Sequence, residues 1–169
     1  LRPQDIGLLA GLGVQSIQVY KRPQVAIIST GDEVVPIDRS PNPGQVRDIN
    51  TYTLSAFCSQ ASAVPIHFGL CKDSFSELKE KVSRALEISD AVWISGGSSV
   101  GVRDITLRVL ESFDGAELLV HGIAISPGKP TIIARVGNKA VFGLPGHVAS
   151  AMVVAEVFLS PIYSDCRVE

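Results

Sequence analysis

Val25-Ala-Ile-Ile-Ser-Thr-Gly-Asp-Glu33 runs four apolar residues into two hydroxyls, a glycine and two carboxylates. A short unbroken apolar run is what a strand buried on both faces requires, and the glycine turns the chain out at its end. The same form recurs at Ala91-Val-Trp-Ile94, which leads into Ser95-Gly-Gly97. Between such runs lie amphipathic stretches. From Thr51 to Ser62, Leu54, Phe57, Cys58 and Ala61 keep the i, i+3, i+4, i+7 spacing of one helix face. From Ser74 to Ser89, Phe75, Leu78, Val82, Ala85 and Leu86 form a second stripe, with Glu77, Lys79, Glu80 and Lys81 turned outward. Ile105, Val109 and Phe113 predict a helix over 105–113, and His147 to Leu159 a last one. Further strands are expected at Ala63–Leu70, Glu117–Val120, Thr131–Val136 and Ala140–Phe142. Strand and helix in alternation require crossover connections, so the expected fold is α/β: a three-layer αβα open sheet, mainly parallel. Gly137-Asn138 between the last two strands is a hairpin signal, which makes one edge antiparallel.

Residues 1–22 read differently, as a short helix over Pro3–Leu9 and a strand over Ser16–Tyr20 before Arg22-Pro23. With Leu1 in first place rather than Met, they are expected to be a connector from an upstream domain. Residues 23–160 then form the domain proper, and 161–169 begin a linker to a downstream one. The net charge of −2 supplies no field for nucleic acid or anionic lipid, so neither is an expected partner. Cys58, Cys71 and Cys166 are widely spaced and include no CxxC pair, a pattern that suits a reducing cytoplasm. No run reaches the roughly 18 apolar residues of a membrane span.

In an open α/β sheet, ligands sit beyond the carboxyl ends of the strands. Four loops here follow apolar runs and carry unusual chemistry. Thr30-Gly31-Asp32-Glu33 sets carboxylates just past a strand, where they suit Mg²⁺ through oxygen and water, or merely cap a turn. Gly96-Gly97-Ser98-Ser99-Val100-Gly101 leads towards Asp104 and exposes backbone N–H groups without Cβ obstruction, as an oxyanion cradle needs. Asp104 also suits the N-cap of the helix from Ile105. Pro127-Gly128-Lys129-Pro130 holds a lysine in a stiff frame, which lowers the entropy lost on binding an anion. Pro145-Gly146-His147 opens the last helix, with Ser150 in its first turn. Asn50 is a natural N-cap, and Arg47 and Asp48 are near enough to face the same rim. The histidines show no metal-ligand spacing, and Cys58 and Trp93 read as core.

These loops, in this order, resemble the molybdopterin-binding domain of the MoeA-type and gephyrin E-domain family, with MogA/MoaB-like relatives. The motifs are Ser29-Thr-Gly-Asp-Glu33, Gly44 to Asn50, Ser95-Gly-Gly97 to Asp104, Pro127-Gly-Lys-Pro130 and Gly143-Leu-Pro-Gly146 with Ser150. The resemblance implies the MogA/MoaB-like fold and a homodimer. It implies insertion of molybdate into adenylylated molybdopterin with release of AMP, in the presence of Mg²⁺. Glu33 and Asp104 match the family's carboxylates. Thr30, Gly31, Asp32, Asn50, Gly96, Gly97, Ser98, Ser99, Gly101, Pro127, Gly128, Lys129, Pro145, Gly146 and Ser150 match its substrate loops. A molybdopterin adenylyltransferase is an implied partner. Two other activities fall within the resemblance: adenylyl transfer to molybdopterin, and a gephyrin-like scaffold without catalysis. Ser126 stands where many members carry Lys or Arg, and His147 where Asn is usual.

Overall fold

The computed structural model describes the backbone of residues 1–96 and 100–159, and the side chains of 1–96 and 105–159. The elements run α1 (Pro3–Gly11), β1 (Gln24–Thr30), β2 (Val34–Val35), β3 (Val46–Arg47), α2 (Asn50–Gln60), β4 (Val64–Cys71) and α3 (Phe75–Ile88). They continue with β5 (Ala91–Gly96), α4 (Val100–Glu111), β6 (Ala116–His121), β7 (Ile132–Val136), β8 (Lys139–Leu144) and α5 (Val148–Val154). A π-helical turn over Ala155–Leu159 prolongs α5. Six strands form one sheet in the order β4-β1-β5-β8-β7-β6. The first four are mutually parallel, and β7 alone is reversed, pairing antiparallel with β8 on one side and with β6 on the other, so the α/β sheet with antiparallel pairing at one edge is as the sequence predicts.

The apolar run of β1 is continuous because both its faces are covered. Val25 and Ile27 pack with Leu54 and Cys58 of α2, Trp93, and Ala151 and Val154 of α5. Ala26 and Ile28 point the other way, to Leu78 and Val82 of α3 and Val109 and Leu110 of α4. All four are fully buried. This alternation is the period of two that a pleated strand imposes, with a helical layer on each side. The β4 edge is bulged at Phe68, ahead of Gly69 at φ 74. Beside it, Lys81 Nζ donates to the carbonyls of Leu70 (2.6 Å) and Phe68 (3.3 Å).

Three expectations need correction. Residues 14–23 adopt neither helix nor strand, 14–20 are exposed, and among the described residues no strand pairs with 16–20. The helix before Phe113 starts at Val100, which places Asp104 inside α4 and not at its N-cap. Asn50 is the first residue of α2 and sends its amide elsewhere; the Asp48 carboxylate accepts from Thr51 N (3.1 Å) instead.

Candidate functional site

Strand register decides where the loops meet. Thr30 pairs with Gly96 and with Cys71, and Ser95 with Leu144, so β1, β4, β5 and β8 end at one level. Because β7 is antiparallel to β8, it begins at that level: Ile132 faces Gly143 on one side and His121 on the other. The loops after β1, β4, β5 and β8, the Pro127–Pro130 loop before β7 and the start of α2 therefore share one rim. A crevice there is lined by Gly96, Thr106, Pro130, Gly143 and Pro145, among others.

At the end of β1, Gly31 has φ 148, where a Cβ would stand 2.7 Å from Val34 Cγ2 and 2.9 Å from Glu33 Oε2. Its N–H donates to the Cys71 carbonyl (3.2 Å), tying this turn to β4. Asp32 and Glu33 are exposed, and Asp32 Oδ1 accepts from Asp73 N (3.3 Å). Asp73 is half-buried and its Oδ1 has no partner. Burial raises its carboxyl above the usual range; a backbone hydrogen bond at Asp32 opposes this, and the charges of Asp32 and Glu33 add to it. Asp73 is a rim carboxylate that the reading of motifs passed over. Its position just past an apolar strand, like that of Asp32, was the available signal.

Thr30 is 3% exposed and its Oγ1 has no partner. It lies against Gly96, where a Cβ would come within 1.8 Å of that oxygen. On the opposite face of the sheet the polar groups are interlocked. Ser29 Oγ lies 3.0 Å from Asp48 Oδ1 and 2.8 Å from Thr51 Oγ1, and all three residues are buried. Asn50 Nδ2 donates to Ser95 Oγ and to the Gly146 carbonyl, both at 2.7 Å. Pro145 is buried, Gly146 and Ser150 half-buried, and His147 exposed. Arg47 donates to the Arg39 carbonyl (3.1 Å).

The lysine loop is framed by more than prolines. Gly128, buried at φ 128, packs so closely that a Cβ would meet Ile125 Cδ1 at 2.8 Å and Val154 Cγ2 at 2.9 Å. Its carbonyl accepts from Thr131 Oγ1 (2.7 Å), and the Lys129 carbonyl from Ile123 N (2.9 Å). Lys129 itself is exposed, as are Ser126 and Pro127. Gly97, Ser98 and Ser99 lie outside the described residues, as does the side chain of Asp104, while Gly101 falls in the first turn of α4. Among the described residues no group of three or more His, Cys, Asp or Glu is arranged to hold a metal ion, and no helix is long and apolar enough to cross a membrane. Cys58 and Cys71 are free and buried, and burial pushes both thiols up to about 12.

A rim of this composition invites comparison with known proteins. The family model "Probable molybdopterin binding domain" matches residues 26–165. The chain belongs to this family. It is 39% identical over 165 residues to a molybdopterin molybdenumtransferase of Nostoc, covering 96% of this chain and 38% of that protein. The crystal structure of a molybdopterin biosynthesis MoeA protein from Pyrococcus horikosii superposes with a TM-score of 0.86 at 37% identity, covering 98% of this chain and 41% of that one. A tungsten cofactor synthesizing MoaB from Pyrococcus furiosus, 18% identical with a TM-score of 0.63, shares the fold and covers 88% of this chain and 98% of its own. This molybdopterin-binding domain of molybdenum cofactor biosynthesis thus spans about two-fifths of the length of its MoeA-type relatives.

Proposed function

We propose that this domain binds adenylylated molybdopterin at the rim, and that the protein it serves inserts molybdate into it with release of AMP. The observation that carries this reading is the convergence of four sequence-distant loops at one level of the sheet. Lys129, a mobile point charge in a rigid frame, suits a phosphate, and the N–H groups around Gly96 and Gly97 suit its oxygens. Gly31, Asp32, Pro145, Gly146 and Ser150 border the same ligand. Bringing an oxyanion to a dithiolene is mainly a matter of position. Glu33 and Asp104 orient water and the incoming molybdate. Glu33 and Asp104 would hold Mg²⁺ together with water and substrate phosphate oxygens, since the ion takes one or two carboxylates and needs no cage of side chains. When bound it neutralises phosphate charge.

The reading extends to a cytoplasmic homodimer that receives its substrate from a molybdopterin adenylyltransferase. Residues 1–22 serve as connector, 23–160 as the binding unit and 161–169 as linker. The test presents adenylylated molybdopterin to the chain and measures binding, then AMP release on adding molybdate. Binding with slow release is expected from this chain alone, and Glu33→Ala or Asp104→Ala should abolish release while sparing binding. Absence of binding refutes the reading. Pyrophosphate release from ATP and molybdopterin would reassign the chain to adenylyl transfer.

A further inference from the structure

The helix α1 has little within its own chain to hold it. It buries none of its residues, and Leu8 and Leu12 are 65% and 70% exposed. Nine residues are too few for a helix to persist in water without packing. Gly7, in its middle, costs it about 1 kcal/mol against alanine. Nothing lies within 4 Å of a Cβ built at Gly7 or Gly11. With Leu8 and Leu12 these glycines share one face, two apolar knobs beside a bare length of backbone. From Val14 to Tyr20 the chain stays exposed, with Ile17, Val19 and Tyr20 in the open.

A second surface of the same chain is equally short of cover. α2 and α5 lie side by side on one face of the sheet. α2 has no charged residue, and α5 with its π-helical turn has only Glu156. Exposed on them are Tyr52, Ala56, Ala149, Met152 and Val157. On the other face of the sheet, α3 carries Glu77, Lys79, Glu80, Lys81, Arg84 and Glu87, as a helix turned to water does. One helical layer is built for solvent and the other for protein.

Resting on the homodimer of the proposed function, we propose that α1 and the 14–20 segment of one copy seat on the α2–α5 layer of a second copy, and the reverse. Residues 1–20 hold one charged pair, Arg2 and Asp5, which neutralise each other at 3.1 Å, so the segment matches the layer in chemistry. A chain that bears both the donor segment and its acceptor is self-complementary, and a two-fold axis closes the exchange at two copies. Every contact is then made twice. Residues 1–20, all exposed except half-buried Asp5 and Leu9, together with the layer reach the roughly 20–30 residues a side of a stable interface.

Sedimentation equilibrium of the unmodified chain, Leu8→Lys, Tyr52→Glu and an equal mixture of the two variants tests this. Both positions are exposed in the single chain, so neither change threatens its fold. The unmodified chain should be a dimer. Each variant should dissociate at least about tenfold more readily, since an unpaired charge enters both contacts. The mixture should recover most of the affinity, because in a mixed dimer one contact is unmodified and the other brings opposite charges together. Variants as tightly dimeric as the unmodified chain overturn the proposal and leave the homodimer standing on another surface. A mixture no stronger than its parts does the same. A monomeric unmodified chain overturns both the proposal and the homodimer.

Discussion

Gly96→Ala is the substitution for which the structure sets the clearest magnitude. Gly96 ends β5, paired with Thr30 in the neighbouring β1, and a Cβ there would lie 1.8 Å from Thr30 Oγ1 and 2.5 Å from the Thr30 carbonyl oxygen. The hydroxyl can swing away by a change of rotamer. The carbonyl oxygen cannot, since it belongs to a strand held on both sides. The two central strands must part at their ends, and overpacking of this kind costs about 3 kcal/mol. For a domain of this size that lowers Tm by roughly 6–12 °C. Urea unfolding of the wild-type chain, Gly96→Ala and the double variant with Thr30→Ala measures it. The double variant should recover only the part owed to the hydroxyl. A single variant within about 0.5 kcal/mol of wild type would refute the reasoning, as it would show that the β1–β5 pair yields freely at this level.

Thr30→Val keeps the shape of a side chain whose buried hydroxyl has no partner, so the unliganded chain should gain about 1 kcal/mol in urea unfolding. The raised carboxyl of Asp73 means that the folded chain holds that proton more tightly than the unfolded chain does. Its favourable contribution is full below the ordinary value of 3.8 and is lost as pH rises through the folded-state value. Asp73→Asn should therefore be more stable than wild type at neutral pH, with the gap closing towards pH 3.8 in a series of melts. Cys58 and Cys71, with thiols pushed up to about 12, should resist a thiol reagent at pH 8 until denaturant is added, as peptide mapping by mass would reveal.

The fold was legible in the sequence because both layers leave their mark on the central strands. Val25 to Ile28 has to be apolar throughout when a helical layer lies on each face, and the helices between carry stripes of the matching period. The 16–20 segment shows the limit of that signal. Its alternation suits a strand, but a strand exists only where another lies alongside, and no local pattern encodes that neighbour. Asn50 failed in the opposite sense. Its type and place fit a cap, yet it falls one residue inside α2, and its amide nitrogen is held by Ser95 Oγ and the Gly146 carbonyl. The loops that form the rim were readable because each follows an apolar run. Asp73 was missed because Cys71-Lys72-Asp73-Ser74 has no glycine to mark it, and only the fold sets it beside Asp32.

The cation lodged against the outer side of β4 has a bearing on how this molecule behaves in a crowd. A sheet that stops with bare carbonyls is an invitation to any extended chain, and flat margins of that sort seed fibrils. Here an ammonium already occupies two of those acceptors, next to a kink that bends the margin out of line. A newcomer would have to evict a charge and straighten the backbone before gaining its first bond. Polymerisation by lateral growth is thus closed on this flank, at the expense of a single side chain.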